Sequence, residues 1–300
     1  MRILVADQSR TSRMILAAVL KDWGFTPVLV SDGNAAWEIV QYPGAPRLAI
    51  LEWSMPGING LEVCRQVRRL NIPEPPYIIL LTSRGREEDI LSGLEAGADD
   101  YFAKPYDNAE LYARIKVGRR VVEMQAEMNR VKSALIYEAA HDPLTSTLNR
   151  GAILNVLEKE FTRSLREGSS LSIGLLDIDH FKKINDTFGH RVGDEVLCAL
   201  VRLIESNIRI YDCVGRYGGE KFLLITPGKT DTTEKDIYER LFRVIRGAQL
   251  QTGAGPLSLE VSAGVACRKE KDTVESLLDA SAQALYRARL EGCNRISYAP

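Results

Sequence analysis

Nothing in the 300 residues sets aside a surface for nucleic acid. Lys and Arg number 39 against 40 Asp and Glu, and the formal net charge of −1 leaves no polybasic excess. No apolar run approaches the roughly 18 residues of a membrane span, so no membrane partner is expected. Met1-Arg2-Ile3-Leu4-Val5 reads as a strand from the outset, with no room for a signal peptide. Cys64, Cys198, Cys213, Cys267 and Cys293 are odd in number and show no paired spacing. Such a set reads as reduced thiols in a cytoplasmic chain. Hydrophobic residues make up 45% of the sequence, enough for real cores in about two domains.

The spacing of apolar segments predicts a first domain over residues 1–116, a helical linker over 117–140 and a second domain over 141–300. In the first, strands are expected at Ile3 to Ala6, Val28 to Val30, Leu48 to Leu51, Tyr77 to Leu81 and Asp100 to Ala103. Helices are expected near Thr11 to Trp23, Ala35 to Gln41, Gly60 to Leu70 and Glu87 to Glu95. Five βα units imply an α/β doubly wound parallel sheet. Function in such sheets sits at the carboxyl ends of the strands. Asp7, Glu52, Thr82 and Lys104 occupy those ends.

With Leu81-Thr82-Ser83, Lys104-Pro105 and Tyr101 in these places, the region resembles a response-regulator receiver of flavodoxin-like fold. The resemblance implies a cis peptide before Pro105 and an aromatic switch at Tyr101. Two residues depart from the pattern. Glu52, before Trp53-Ser54-Met55-Pro56-Gly57, stands where the family has its phosphate-accepting aspartate. Asp7-Gln8 replaces an acidic pair, so one magnesium ligand has become an amide. A carboxylate carries one negative charge and a phosphate nearly two. Ordinary aspartyl phosphorylation is therefore expected to be lost. Two readings stay open: a Glu52–Lys104 ion pair that imitates the switched-on state, or a degenerate receiver kept for dimerisation.

Asn108 to Ala140 contains no proline and one glycine, Gly118, among strong helix formers. Val117, Val121, Met124, Met128, Val131 and Leu135 recur at alternating spacings of four and three. That is a heptad seam, which suits a parallel two-helix coil and hence a homodimer through receiver and linker; the alternative is a helix packed on its own domain. Pro143 disfavours a helical Asp142 and ends the helix near His141-Asp142-Pro143-Leu144-Thr145.

Two stretches carry the chemistry. Leu175-Leu176-Asp177-Ile178-Asp179 reads as a buried strand with acids at its end, and strand period puts Asp177 and Asp179 on one face. Arg216-Tyr217-Gly218-Gly219-Glu220-Lys221-Phe222 reads as a hairpin whose two glycines supply positive φ angles and leave its tip bare. Glu220 is expected on the shoulder of that turn, where a carboxylate can hold a metal. Strands are expected near Leu171–Asp177, Cys213–Tyr217, Lys221–Thr226, Leu257–Ala266 and Arg295–Tyr298. Helices are expected near Ala152–Arg166, Asp194–Asn207, Thr233–Gln249 and Val274–Arg289.

The runs DIDHFKKINDTFGHRVGDEVL and RYGGEKF, in that order and spacing, resemble the GGDEF family, the diguanylate cyclases. The resemblance covers about half the chain and implies an α+β nucleotidyl-cyclase fold. It also implies condensation of two GTP into cyclic di-GMP and two pyrophosphates. Mg2+ (or Mn2+) would be held by Asp177, Glu220 and the Ile178 carbonyl, a small oxygen set completed by water and phosphate. Backbone amides around Phe181, the Lys182 ammonium and Arg289 would meet the phosphates, and Asn185 and Asp194 would read guanine. Asp194 as a helix cap and Lys182 as solvated surface are the plain alternatives. Asp179 reads as structural. Arg209-Ile210-Tyr211-Asp212 stands where the family has its inhibitory product site, which Arg216 could join. Lys221 replaces a customary acid, and Cys293 a customary basic residue. Two functions therefore stay open: a cyclase weakened at those positions, and a silent module that binds cyclic di-GMP and signals by contact.

Overall fold

Short apolar strands alternate with capped helices through the first 134 residues and build a doubly wound sheet. The computed structural model describes residues 1–70, 72–82, 87–228 and 231–300; Ser83 of the expected Leu-Thr-Ser lies outside them. The chain divides into two units, Met1–Ala134 and Leu135–Pro300.

The first unit runs β1 (Arg2–Ala6), α1 (Arg10–Asp22), β2 (Thr26–Val30), α2 (Gly33–Gln41), β3 (Leu48–Glu52), α3 (Gly60–Arg69), β4 (Tyr77–Thr82), α4 (Glu87–Glu95), β5 (Asp100–Ala103) and α5 (Asn108–Ala140). Its strands are all parallel in the order β2-β1-β3-β4-β5. Both faces are covered, as a parallel sheet requires. Leu4, Ala49, Leu51, Ile78 and Leu80 pack on Ala36, Val40, Val63 and Val67. The alternate residues Ile3, Val5, Ile50 and Ile79 pack on Leu16, Leu20, Leu111 and Ile115. Helix starts are fixed by side-chain oxygens of Ser9, Asp32 and Asn59, which accept from the amides of Ser12, Ala35 and Glu62.

Helix α5 is continuous for 33 residues, as the missing prolines suggest. Gly118 lets it lie on β4, since a Cβ there would sit 2.6 Å from the Tyr77 ring. Val121 of the expected seam packs against the first unit's own core. Val117, Met124, Met128, Val131 and Leu135 are exposed.

The second unit runs α6 (Arg150–Glu167), β6 (Ser170–Ile178), α7 (Phe181–Phe188), α8 (His190–Glu205), β7 (Cys213–Gly218), β8 (Lys221–Gly228), α9 (Asp231–Gly247), β9 (Gln249–Thr252), β10 (Gly255–Ser258), β11 (Val261–Cys267), α10 (Val274–Leu290) and β12 (Ile296–Tyr298). The main sheet is ordered β12-β11-β6-β8-β7, with only β11–β12 parallel. Helices α8 and α9 bury Val196, Leu200 and Phe242 on one face. Helices α6 and α10 bury Ile153, Leu157 and Leu277 on the other.

The expected strand Leu257–Ala266 is two strands in two sheets. Its alternating pattern is unbroken, but β10 pairs with β9 while β11 enters the main sheet. The Glu260 carbonyl between them accepts from the Asp179 amide. Gln249 opens β9 rather than closing a helix, and α8 starts at His190, ahead of the expected Asp194.

Helix α10 sits directly on the backbone of β11. A Cβ on Gly264 would fall 2.1 Å from both Leu285 N and Ser281 O, and the Ser281 hydroxyl donates to the Gly264 carbonyl at 2.8 Å. Gly264→Ala must push the helix away, and overpacking of this kind costs about 1–3 kcal/mol. A lower urea midpoint is expected; an unchanged midpoint would show that the contact yields freely.

Candidate active site

The central strand β6 ends in an acid that nothing hydrogen-bonds. Asp177 is 0% exposed, opposite Lys221 of β8 and Ser262 of β11. Neither of its carboxylate oxygens has a hydrogen-bond partner. Arg289 of α10 brings Nη2 to 2.7 Å from Oδ1 as an ion pair. Burial pushes the Asp177 carboxyl up to about 6; Arg289 and Lys221 oppose this, while Glu220 and Asp179 add to it. Asp179, two residues on, is equally buried but satisfied. It accepts from the Ser262 hydroxyl at 2.8 and 2.9 Å and from the Asn294 amide at 2.9 Å. Its role is to tie the end of β6 to β11 and the C-terminal segment.

The hairpin places Glu220 beside this strand end. Gly218 pairs with Lys221, so the two-residue loop is Gly219-Glu220, and Glu220 stands at the tip rather than on the shoulder. A bulge between Arg216 and Gly218 re-aims the strand. Gly218 has φ 153° and Gly219 φ 58°, and a Cβ on either would meet nothing within 4 Å. These glycines therefore serve backbone conformation and open space. The Ile178 amide donates to the Glu220 carbonyl at 3.4 Å, which sets the three expected metal-holding residues against one another.

Arg216 braces the hairpin. Its Nε donates to the Gly219 carbonyl at 2.8 Å, and its Nη1 donates to both oxygens of Asp142 at 3.1 and 3.2 Å. Asp142 also accepts from the Thr145 amide and hydroxyl. Burial pushes its carboxyl up, but the Thr145 and Arg216 contacts outweigh that and hold it below the ordinary value. Arg216 is thus engaged at the hairpin, not with Arg209 and Asp212.

Beyond β6 the chain turns through His180, at φ 57°, into α7. Phe181 packs on the core, which leaves its backbone rather than its ring for a ligand. Lys182 is exposed and has no side-chain partner among the described residues. Asn185 lies against α8 at Gly193, where a Cβ would sit 1.9 Å from its Oδ1. Gly193 is a site residue that sequence reasoning missed, although its place next to Asp194 was a signal. Asp194 is exposed on the first turns of α8 and does not cap it; Gly189 precedes that helix.

Arg209 and Asp212 close a tight turn. The Asp212 amide donates to the Arg209 carbonyl at 3.0 Å, and Asp212 Oδ2 accepts from the Arg209 amide at 2.8 Å. Asp212 is buried, Oδ1 has no hydrogen-bond partner, and burial raises its pKa against the pull of Arg209 and Arg240. The Arg209 guanidinium reaches the Tyr211 hydroxyl at 3.0 Å. Arg209 and Tyr211 line a groove of about 400 Å³ with Glu160, Arg163 and Glu167.

In the first unit, Lys104 Nζ donates to Asp7 Oδ2 at 2.8 Å and to Glu52 Oε2. Asp7, Glu52 and Thr82 are all buried. Burial pulls the Lys104 ammonium down, but its bonds to Asp7 and Glu52 more than offset this and leave its pKa above the ordinary lysine value. The Lys104–Pro105 peptide is cis.

Comparison with known proteins agrees with this geometry. Residues 139–295 match the diguanylate cyclase GGDEF domain model, and residues 3–116 match the response regulator receiver domain. Diguanylate cyclase DgcP of Pseudomonas aeruginosa is 34% identical over 214 residues, 70% of this chain but 32% of that protein. Response regulator PleD of Caulobacter vibrioides is 30% identical over 301 aligned residues, 98% of this chain and 65% of PleD. The chain therefore spans less than two thirds of either relative. The crystal structure of the coiled coil and GGDEF domain of Caulobacter crescentus DgcB, in complex with c-di-GMP, superimposes with TM-score 0.56 at 28% identity. That match covers 61% of this chain and 99% of the DgcB chain. Among the described residues no helix is long and apolar enough to cross a membrane. The chain belongs to the GGDEF family, with a response regulator receiver domain ahead of its GGDEF domain.

Proposed function

We propose that this chain is a cytoplasmic diguanylate cyclase that joins two GTP into cyclic di-GMP and two pyrophosphates. The observation that carries the reading is Asp177, a buried carboxylate without a hydrogen bond, set beside the bare Gly218-Gly219-Glu220 hairpin. Buried carboxylates are normally hydrogen-bonded or bound to metal. Among the described residues no group of three or more His, Cys, Asp or Glu is placed to hold a metal by itself. Two carboxylates and a carbonyl suit magnesium or manganese, which take the remaining oxygens from water and phosphate. Asp177, Glu220 and the Ile178 carbonyl would hold the ion, which supplies stabilisation of charge developing on the α-phosphate.

The chain's own groups do the rest. Amides at the start of α7, the Lys182 ammonium and Arg289 orient the phosphates. Asp194 and Asn185, the latter lying against Gly193, receive the N1–H and amino group of guanine. One chain presents one such site, and the reaction joins two nucleotides, so two chains must meet. The exposed seam of α5 is the means. Arg209 and Asp212 bind the product and restrain the enzyme. In the receiver, Glu52 already holds Lys104, so phosphorylation has no role.

One observation favours the second reading, a silent cyclic di-GMP-binding module. Lys221 lies directly across the ladder from Asp177, where the family's customary acid would serve a second metal. Incubation of the purified chain with GTP and Mg2+, followed by nucleotide chromatography, separates the two. Slow formation of cyclic di-GMP is expected, abolished by Glu220→Ala and altered only modestly by Lys221→Glu. No product from the natural chain, with activity restored by Lys221→Glu, would establish the silent module instead.

The raised pKa of Asp177 gives the reaction an acid limb. Below about 6 the folded chain holds a proton on this carboxyl, and proton and cation compete. The Mg2+ concentration for half-maximal rate should rise as pH falls from 7 to 5. Without divalent cation the sign for stability is reversed from the usual aspartate. The folded state takes the proton more readily than the unfolded one, so stability falls as pH rises from about 4 to about 6. Asp177→Asn should remove that dependence in thermal melts. Parallel melting curves across this range for both proteins would count against the assignment.

The seam is tested separately. Met124→Lys with Met128→Lys sets like charges across a two-helix coil. Sedimentation should show monomer and cyclic di-GMP formation should stop; an unchanged dimer would reject the seam.

A further inference from the structure

Two cations bear on one bare carboxylate, and they are not equivalent. Lys221 belongs to the sheet, fixed by the ladder opposite Asp177. Arg289 approaches from α10 and is 39% exposed, whereas the Asp177 side chain is 0% exposed. Its Nη2 lies at ion-pair distance from Oδ1 but makes no hydrogen bond, so the pair has charge attraction without directional bonding. Its Nε is 4.0 Å from Asp179 Oδ1. That second carboxylate already accepts hydrogen bonds from Ser262 and Asn294. The guanidinium is thus near two acids, bonded geometrically to neither, with an open side toward solvent.

We propose that Arg289 is a displaceable counter-ion that couples cation binding to nucleotide binding at this site. In the nucleotide-free chain it neutralises Asp177 and competes with a divalent cation for the same oxygens. When triphosphate arrives, Arg289 transfers to the phosphate oxygens, which it can engage through two parallel N–H groups. Asp177 is then released to the cation. Each ligand clears the way for the other: the cation frees Arg289 for phosphate, and phosphate frees Asp177 for the cation. By linkage the two effects are equal in size. Asp179 cannot stand in for Asp177 in this exchange, since its oxygens are occupied by donors.

The proposal rests on the functional reading above but is measured without turnover. Full-length chain is titrated with MnCl2 alone, with a GTP analogue carrying a methylene between the α- and β-phosphates, and with both. Bound Mn2+ is read by electron paramagnetic resonance and nucleotide by calorimetry. In the natural chain Mn2+ alone should bind weakly, and the analogue should tighten it by about tenfold or more, within the range of coupled sites. Arg289→Gln should bind Mn2+ alone about tenfold more tightly, bind the analogue more weakly, and lose most of the coupling. Arg289→Lys keeps the charge and should keep the coupling, which guards against a fold defect in the glutamine variant. Equal Mn2+ affinity in the natural and glutamine chains, with coupling intact, would overturn the counter-ion role and leave the cyclase reading in place. Absence of any joint Mn2+ and nucleotide binding in the natural chain would overturn both.

Discussion

A carboxylate sealed at the end of a central strand sets the terms for the second unit. Asp177 follows Leu175 and Leu176 in β6, the middle strand of five, and the ladder on both sides carries it out of solvent. An ionised group there is costly unless its charge is met. Asp179 shows the ordinary solution, since hydroxyl and amide donors surround it. Asp177 has no donor and is met only by nearby cations. A chain evolved only for stability would fill that place with an apolar residue or supply it with hydrogen bonds. The unmet oxygens are the feature around which Glu220, Lys221 and Arg289 are arranged.

That arrangement depends on how the chain enters the second unit. Asn149 closes two helices at once: its side-chain amide donates to the Ala139 carbonyl, its backbone amide to Ala140, and its Oδ1 accepts from Ala152 to start α6. The intervening turn is bound to the sheet. The Thr147 hydroxyl donates to the Val214 carbonyl, and the Leu148 carbonyl accepts from the Arg216 amide. Arg216 then spans from Asp142 to the Gly219 carbonyl. A continuous set of hydrogen bonds thus runs from the last turn of α5 to the loop that carries Glu220.

The parts legible in the sequence are those governed by local rules. Short continuous apolar runs located the buried strands because both faces of each sheet are covered, and alternation with amphipathic helices gave the parallel first sheet. The Asp-x-Asp strand end and the Gly-Gly hairpin were legible because short motifs encode their own geometry. What escaped depends on tertiary choice. The run from Leu257 to Ala266 alternates without a break, yet Glu260 is drawn to the Asp179 amide and the strand divides there. Asp194 looks like a cap by type, but Gly189, at φ 85°, starts the helix earlier. The contact of Arg289 with Asp177 has no local signature, because the two meet only when α10 folds across β11 and β6.

The two charged sites of the chain are built in opposite states. At the strand ends of the receiver, one lysine lies between two carboxylates, and the ammonium is held above its ordinary pKa by them. Little remains there for an arriving phosphate to attract. At the end of β6 the state differs, with Asp177 at ion-pair distance from Arg289 and no hydrogen bond to fix it. A site whose partners already bind each other resists a new ligand, whereas one held by charge alone exchanges partners readily when a better-fitting ion appears. The receiver's lysine and its two carboxylates are of the first kind. The bare carboxylate of the second unit is of the second kind, with oxygens that the protein itself leaves unmet.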